Sequence, residues 1–195
     1  MSLGPFIILA IKIILYGGPM KKSFYFVVVG LFSLFMFIGC ASIPASKVTY
    51  DVEVSYENES PAVTVEITPS WSQNLIYGDG IGGFVCTFTN NTDKVAKVVW
   101  DESSINYNGS SYVPFLEGQK YINAQEPMSP TAIAKGGTLS KAVYSSNQPH
   151  YTSGKYGGWS MMPMASDYVQ LLFMVKAGDK EEYVTVDVTT IIAEE

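Results

Sequence analysis

From residue 48 onward, apolar and polar side chains alternate. Val48, Tyr50, Val52, Val54 and Tyr56 are separated by Thr49, Asp51, Glu53 and Ser55. A period of two puts the large apolar groups on one face, so this stretch is predicted to be a half-buried strand. Val63, Val65 and Ile67 predict a second strand that ends at Pro69, since proline has no amide to give to a ladder. Phe84, Cys86 and Phe88 predict a third, closed by the turn formers Asn90-Asn91-Thr92-Asp93. Strands are also expected over 95–100, 104–107 and 111–115, with Asn108-Gly109 as a tight hairpin turn between the last two. Lys135-Gly136-Gly137 introduces a strand over 138–144. The most apolar run, 168–176, turns through Ala177-Gly178-Asp179-Lys180 into 181–192, where Tyr183, Val184, Val186, Val188 and Ile191 are the apolar positions. No window after residue 47 sustains a helical period. Eight or nine short strands separated by turn residues predict an all-β fold, an antiparallel β-sandwich over residues 47–195.

The pattern before residue 47 is of another kind. Residues 23–38 are almost wholly apolar, preceded by Met20-Lys21-Lys22 and followed by Gly39-Cys40. A short basic start and an apolar run of about 15 residues read as a secretory signal, since a helical span needs roughly 20. Phe37-Ile38-Gly39-Cys40 resembles the lipobox of bacterial lipoproteins. That resemblance implies that signal peptidase II cuts before Cys40 and that its sulfur receives a diacylglyceryl group, making membrane lipid a partner through Cys40. Stable anchoring takes two acyl chains, each buried methylene contributing about 0.8 kcal/mol, and diacylglycerol supplies two. The expected organisation is a signal over 1–39, the lipidated cysteine and a small polar tether over 40–46, and the sandwich beyond. Residues 6–16 form a second apolar stretch with Lys12 in its middle, closed by Gly17-Gly18-Pro19; two consecutive signals serve no physical purpose, so translation is expected to begin at Met20. Ala41, not Asp, follows the cysteine. By resemblance to proteobacterial lipoproteins this implies the outer membrane in a Gram-negative cell; in a Gram-positive cell the same signal implies the outer face of the plasma membrane.

Charge and composition narrow the function classes. All 18 acidic residues lie after Cys40 against nine of the 12 lysines, so the part beyond the signal carries −9, and the chain has no arginine. This argues against nucleic acid, whose binding depends on basic patches, and against bidentate carboxylate or phosphate clamps. One histidine and two cysteines leave little for a zinc site or a histidine-based triad, so no metal or cofactor is expected. An apolar content of 47%, with 13% aromatic residues, is ample for a core.

Phe88-Thr89-Asn90-Asn91-Thr92-Asp93-Lys94, then Val98-Val99-Trp100-Asp101-Glu102-Ser103-Ser104, Asn108-Gly109, and Ile133-Ala134-Lys135-Gly136-Gly137-Thr138-Leu139, resemble small bacterial lipoproteins with an immunoglobulin-like domain. The resemblance implies a strand that ends in an Asn-rich turn and feeds a tryptophan-bearing strand. It carries no functional residues.

Candidate chemistry is sparse. Asp101-Glu102 are adjacent, and neighbours on a strand face opposite ways, so Asp101-Glu102-Ser103-Ser104 is expected to be a turn held by side chain to backbone bonds, with half of a calcium site or an acid/base pair as the alternative. The glycine-rich stretch 78–83 precedes a strand, not a helix, and is expected to be a flexible connection ending in a bulge, not a phosphate cradle. His150 is expected in an exposed loop, Cys86 in the core, and with Cys40 lipidated no intramolecular disulfide is possible. Sequons at Asn58, Asn90 and Asn108 have no role if the protein is bacterial.

Residues 149–164 stand apart, because Tyr151, Tyr156, Trp159, Met161, Met162 and Met164 are interleaved with glycine. Read as structure, this is a long loop that closes the sandwich with Trp159 as a plug. Read as function, Tyr151, Tyr156, Trp159, Met161 and Met162 form a contact surface for an envelope protein partner. The expected function is a membrane-anchored, non-catalytic binding or structural module. The alternatives are an assembly accessory that pairs through the edge strand at 47–56, and a carboxylate-based hydrolase using Asp79 with Asp101.

Overall fold

The alternating stretches pair into two antiparallel sheets packed face to face, their apolar sides inward. The computed structural model describes residues 47–74, 77–155 and 157–193; the signal, Cys40, the tether and Tyr156 lie outside the described residues. In one sheet the order is β1 (Val48–Tyr56), β12 (Lys180–Ile192), β11 (Tyr168–Ala177), β4 (Ala96–Tyr107) and β5 (Ser110–Tyr112), with β7 (Thr131–Ile133) also paired to β4. In the other it is β2 (Val63–Asn74), β3 (Gly78–Asn90), β8 (Thr138–Ser145) and β6 (Pro114–Leu116). A separate two-stranded hairpin, β9 (Pro149–Thr152) and β10 (Gly158–Met161), lies between β8 and β11 in the chain.

The strands differ from the sequence reading where turn residues mislead. Pro69 does not end β2, because β2 is an edge strand paired only with β3 and its outer side needs no amide donor. The glycine-rich stretch is not a flexible connection but the start of β3; the expected bulge is there, with Ser70 facing Gly83 and Trp71 facing Ile81. The runs at 95–100 and 104–107 are a single strand, and 111–115 divides at Val113 between the two sheets. Asn108 and Gly109 have φ of 50° and 72°, as a tight primed turn requires.

The core is centred on Phe88 of β3, Trp100 of β4 and Phe173 of β11, all fully buried. The three rings meet edge to face, with centroids 5.1 Å apart for Phe88 and Phe173, 5.8 Å for Phe88 and Trp100, and 6.3 Å for Trp100 and Phe173. Trp100 Nε1 donates to Thr131 Oγ1 at 2.8 Å, which satisfies the indole and joins β7 to β4. Cys86 lies in the same layer, as its alternation predicted; burial pushes its thiol up, and it behaves as a small apolar group.

Strand registers define two ends. At one, Val48 faces Ile192, Thr189 faces Tyr168, Asn74 faces Gly78, and the turn at 107–110 closes β4 on β5. Lys47, the first described residue, sits here, its carbonyl accepting from the Ala193 amide at 2.9 Å. This is the near end, where the chain arrives from residue 46. The far end holds the connections at 57–62, 91–95, 134–137 and 178–179.

Candidate functional site: an aromatic hairpin at the near end

Residues 149–164 are not a structureless loop. Tyr151 pairs with Trp159 and His150 with Ser160 in the β9–β10 hairpin. Its tip is made by glycine: Gly154 has φ 118°, the Gly157 amide donates to the Gly154 carbonyl at 3.0 Å, and a side chain at Gly157 would collide with the Thr152 carbonyl.

The root is fixed by buried polar and backbone contacts. Gln148 is 2% exposed; its Oε1 accepts from the Ser145 amide at 2.7 Å, and its Nε2 donates to the Gly82 carbonyl at 3.0 Å and the Met162 carbonyl at 2.9 Å. The Met162 amide donates back to the Gln148 carbonyl at 2.8 Å. Met164 is buried and exchanges backbone hydrogen bonds with Ile81 at 2.8 and 3.1 Å. Gly80 permits this approach, because a Cβ there would strike the Met164 carbonyl.

Above this root the aromatic side chains stay on the surface. Trp159 is 44% exposed and Tyr151 57%, so Trp159 is not the expected plug. What fills the interior from this segment is Met164, while Met161 and Met162 are half-buried at the root. Trp159 lies against Tyr151, centroids 5.4 Å apart, and against Tyr121 at 5.8 Å. Tyr121 continues to Phe115 at 5.8 Å, and Phe115 to Tyr144 at 6.1 Å. The Tyr144 ring covers the backbone of Gly83 so closely that a Cβ there would come within 2.6 Å of it. Burial, with Glu117 and Tyr121 nearby, raises the Tyr144 phenol. The row therefore runs from a packed inner part to an exposed outer part. Trp159 also walls a shallow groove with Gln119, Lys120, Tyr121 and Ile122, and Ile122 is 76% exposed.

Of the five residues expected at a contact surface, Tyr151 and Trp159 come together in the open, Met161 and Met162 support them from below, and Tyr156 lies outside the described residues. Sequence reasoning missed Tyr121 and Ile122. Their signal was weak but present: an apolar pair among Gln119, Lys120 and Asn123, with no alternation to bury it.

The other candidates resolve differently. His150 is not in an exposed loop but in β9, half-buried, with its ring edge-on to Tyr77 at 5.3 Å. Asp101-Glu102-Ser103-Ser104 is not the expected turn but part of β4, at a bulge between Val99 and Ser104, and both carboxylates are exposed. Ser103 closes that bulge: its buried hydroxyl donates to the Val99 carbonyl at 2.7 Å and accepts from the Met174 amide at 3.1 Å. Glu102 pairs with Lys176 at 3.1 Å. Asp79 lines a near-end groove with Trp71, Asp167 and Tyr168, and Asp101 is not among its lining residues. Asn90 is 1% exposed, with its amide nitrogen facing three carbonyls, so that sequon is sealed. Among the described residues, no group of three or more His, Cys, Asp or Glu is placed to hold a metal ion. Comparison with known proteins returns no matching family model, no similar curated protein and no similar solved structure.

Proposed function

We propose that the protein is a lipid-anchored, extracytoplasmic β-sandwich without catalytic activity that works by contact, through the exposed aromatic surface of the β9–β10 hairpin. The observation that carries this reading is a group of large exposed side chains, Tyr151 and Trp159 on a hairpin whose root is buried and hydrogen-bonded, with Tyr121 and Ile122 beside them from the 117–126 connection. A loop needing only to close the sandwich would turn these groups inward. The anchor rests on the lipobox-like Gly39-Cys40 and its preceding apolar run.

The sandwich is of the immunoglobulin-like kind. The order β2-β3-β8-β6 opposite β12-β11-β4-β5 supports this, with hairpins joining β2 to β3, β4 to β5 and β11 to β12. In immunoglobulin domains a buried tryptophan packs on a disulfide that ties the sheets together. Here Trp100 packs on the Phe88–Phe173 pair, which fills that place between β3 and β11 without a covalent bond. By this reading β1 is an added edge strand and β9–β10 an insertion.

A second reading has one observation in its favour. β1 pairs along its whole length with β12 and forms an open sheet edge, so a neighbouring strand can add there. Asp51 and Glu53 on that strand oppose indiscriminate pairing.

The test of the main reading has two parts. Intact mass of the chain from its native membrane is expected to correspond to a start at Cys40 plus a diacylglyceryl group, and to retain the signal when signal peptidase II is inhibited. A photo-reactive residue at position 122 is expected to form adducts in the native envelope, while the same residue at position 93 in the far-end turn does not. An unmodified chain defeats the anchor, and equal labelling at both positions defeats the contact surface.

A further inference from the structure

We propose that the near end of the sandwich lies on the membrane that holds the tether, with Tyr121, Ile122, Tyr151 and Trp159 seated in the headgroup layer of the bilayer. This rests on the lipid-anchor reading above and names the partner of the aromatic surface.

The distribution of exposed apolar groups is the first support. Nine large hydrophobic side chains are well exposed among the described residues. Four are the hairpin group. Three more, Tyr168, Ile191 and Ile192, border the near end, where Val48 faces Ile192. Only Val85, on the outer face of β3, and Val95, before β4, lie elsewhere. These groups come from separate chain segments: Tyr168, Ile191 and Ile192 lie at the strand ends, and the hairpin is joined to the same end through His150, which meets Tyr77 beside the start of β3. That arrangement fits a plane better than a protruding side chain of a protein partner.

The second support is reach. Residues 40–46 separate the lipidated position from Lys47. A segment of that length spans at most about 25 Å when fully extended. Because Lys47 is at the near end, the lipid anchor keeps that end within this distance of the bilayer.

The third is chemistry. Tryptophan and tyrosine have an apolar ring and a polar tip and are favoured at the level of the headgroups. The domain carries −9, and an anionic leaflet repels most of its surface. The segments that bear the hairpin group, 116–126 and 149–164, are balanced, with Lys120 and Lys155 against Glu117 and Glu126. The hairpin is thus where approach to lipid meets the least opposition. Its hydrogen-bonded root holds Tyr151 and Trp159 in place, so little order has to be gained there on contact.

The test uses the full, lipid-modified chain reconstituted into vesicles of phosphatidylethanolamine and phosphatidylglycerol, with part of the lipid brominated near the headgroup end of its acyl chains. Tryptophan emission reports contact with bromine. Of the three tryptophans, Trp100 is buried in the core, Trp71 lines the near-end groove and Trp159 is in the hairpin. The brominated lipid is expected to quench the wild-type emission, and Trp159→Phe to lower that quenching about twofold or more. Ile122→Glu keeps the reporter and is expected to lower its quenching by a similar factor, while circular dichroism shows the fold intact. Mass analysis of the same samples reports the tether separately. A diacylglyceryl-modified chain whose emission ignores the brominated lipid overturns the docking and leaves the anchor standing. Quenching absent from vesicles, with a Trp159-dependent protein adduct in native envelopes, also overturns it and assigns the surface to a protein partner. A chain without the diacylglyceryl group overturns the anchor and the docking with it.

Discussion

At the far end of the sandwich, chain reversals are tied down by buried polar side chains. Glu182, 3% exposed, accepts from the Ala62 amide at 2.8 Å, the Val63 amide at 3.4 Å and Asn58 Nδ2 at 2.7 Å, so the 57–62 connection is fastened to β12. Asn90 donates to the carbonyls of Lys94, Ile133 and Ala134 and accepts from the Thr92 amide and hydroxyl. Lys176, Glu102 and Glu181 add an exposed ion-pair network. At the near end Gln148 works in the same way, and there it secures the root of a hairpin whose outer half stays apolar and open. Both ends bring their backbone groups into hydrogen bonds. Among the described residues the far end exposes the lone aliphatic Val95, whereas the near end keeps a group of neighbouring aromatic side chains in water, which distinguishes a surface finished for solvent from a surface finished for contact.

If that contrast is right, damage at the far end should be paid in global stability. Glu182→Ala has the largest expected effect. It leaves the Ala62 and Val63 amides buried with no acceptor, and an unsatisfied buried donor costs about 1–3 kcal/mol, so a loss of about 3 kcal/mol is expected in urea unfolding. Glu182→Gln keeps one acceptor and should fall between the variant and wild type. Asn90→Ala should lose about 2 kcal/mol, since it frees carbonyls at the junction of β3, β4 and β7 while removing little apolar area. A change of under about 0.5 kcal/mol in either alanine variant would mean that water takes over these partners and that the far end is not closed as described.

Gly80→Ala attacks the near end at its root. The added methyl meets the Met164 carbonyl, and one of the two backbones must move. Overpacking of this kind costs about 1–3 kcal/mol. The loss should be local: amide exchange at Ile81 and Met164 should quicken markedly while amides of β11 and β12 keep their protection. Uniform loss of protection across the sheets would show that the hairpin root belongs to the cooperative core and not to an appendage.

The far end was more legible in the sequence than the near end. Asn90-Asn91-Thr92-Asp93 and Lys135-Gly136-Gly137 announce far-end turns by residue type alone; at the near end Asn108-Gly109 does the same, for the β4–β5 hairpin. Alternation gave β1 and the Phe84-Cys86-Phe88 part of β3, with the core layer that holds Cys86, and the apolar runs on either side of the Gly178 turn gave β11 and β12. Short pieces such as β7 carry too few residues to show a period, and depend on pairing with β4. The continuity of β4 through Asp101-Glu102-Ser103-Ser104 was hidden because a bulge interrupts the alternation there, and Asp and Ser side by side read as turn formers. At the hairpin, glycine between aromatics hid the strands, since Gly154 and Gly157 read as loop when they in fact form a tip. Tyr121 and Ile122 show in the sequence only as an apolar pair among polar residues, and their contribution depends on tertiary placement beside Trp159.

The smallest effect on stability is expected where the effect on function is largest. Trp159→Ala removes ring contacts with Tyr121 and Tyr151, worth about 0.5–1.5 kcal/mol for well-packed pairs and less at an exposed site. The root is left untouched, because Gln148 and Met164 make none of their hydrogen bonds to the Trp159 side chain. The urea midpoint should therefore move by no more than about 0.5 kcal/mol in equivalent stability, while adduct formation from position 122 in the native envelope falls sharply. A loss of about 2 kcal/mol or more would reverse the interpretation of the hairpin, making Trp159 part of what holds the near end closed. Unchanged stability together with unchanged adducts would move the contact surface elsewhere, with the open edge of β1 next to be tested.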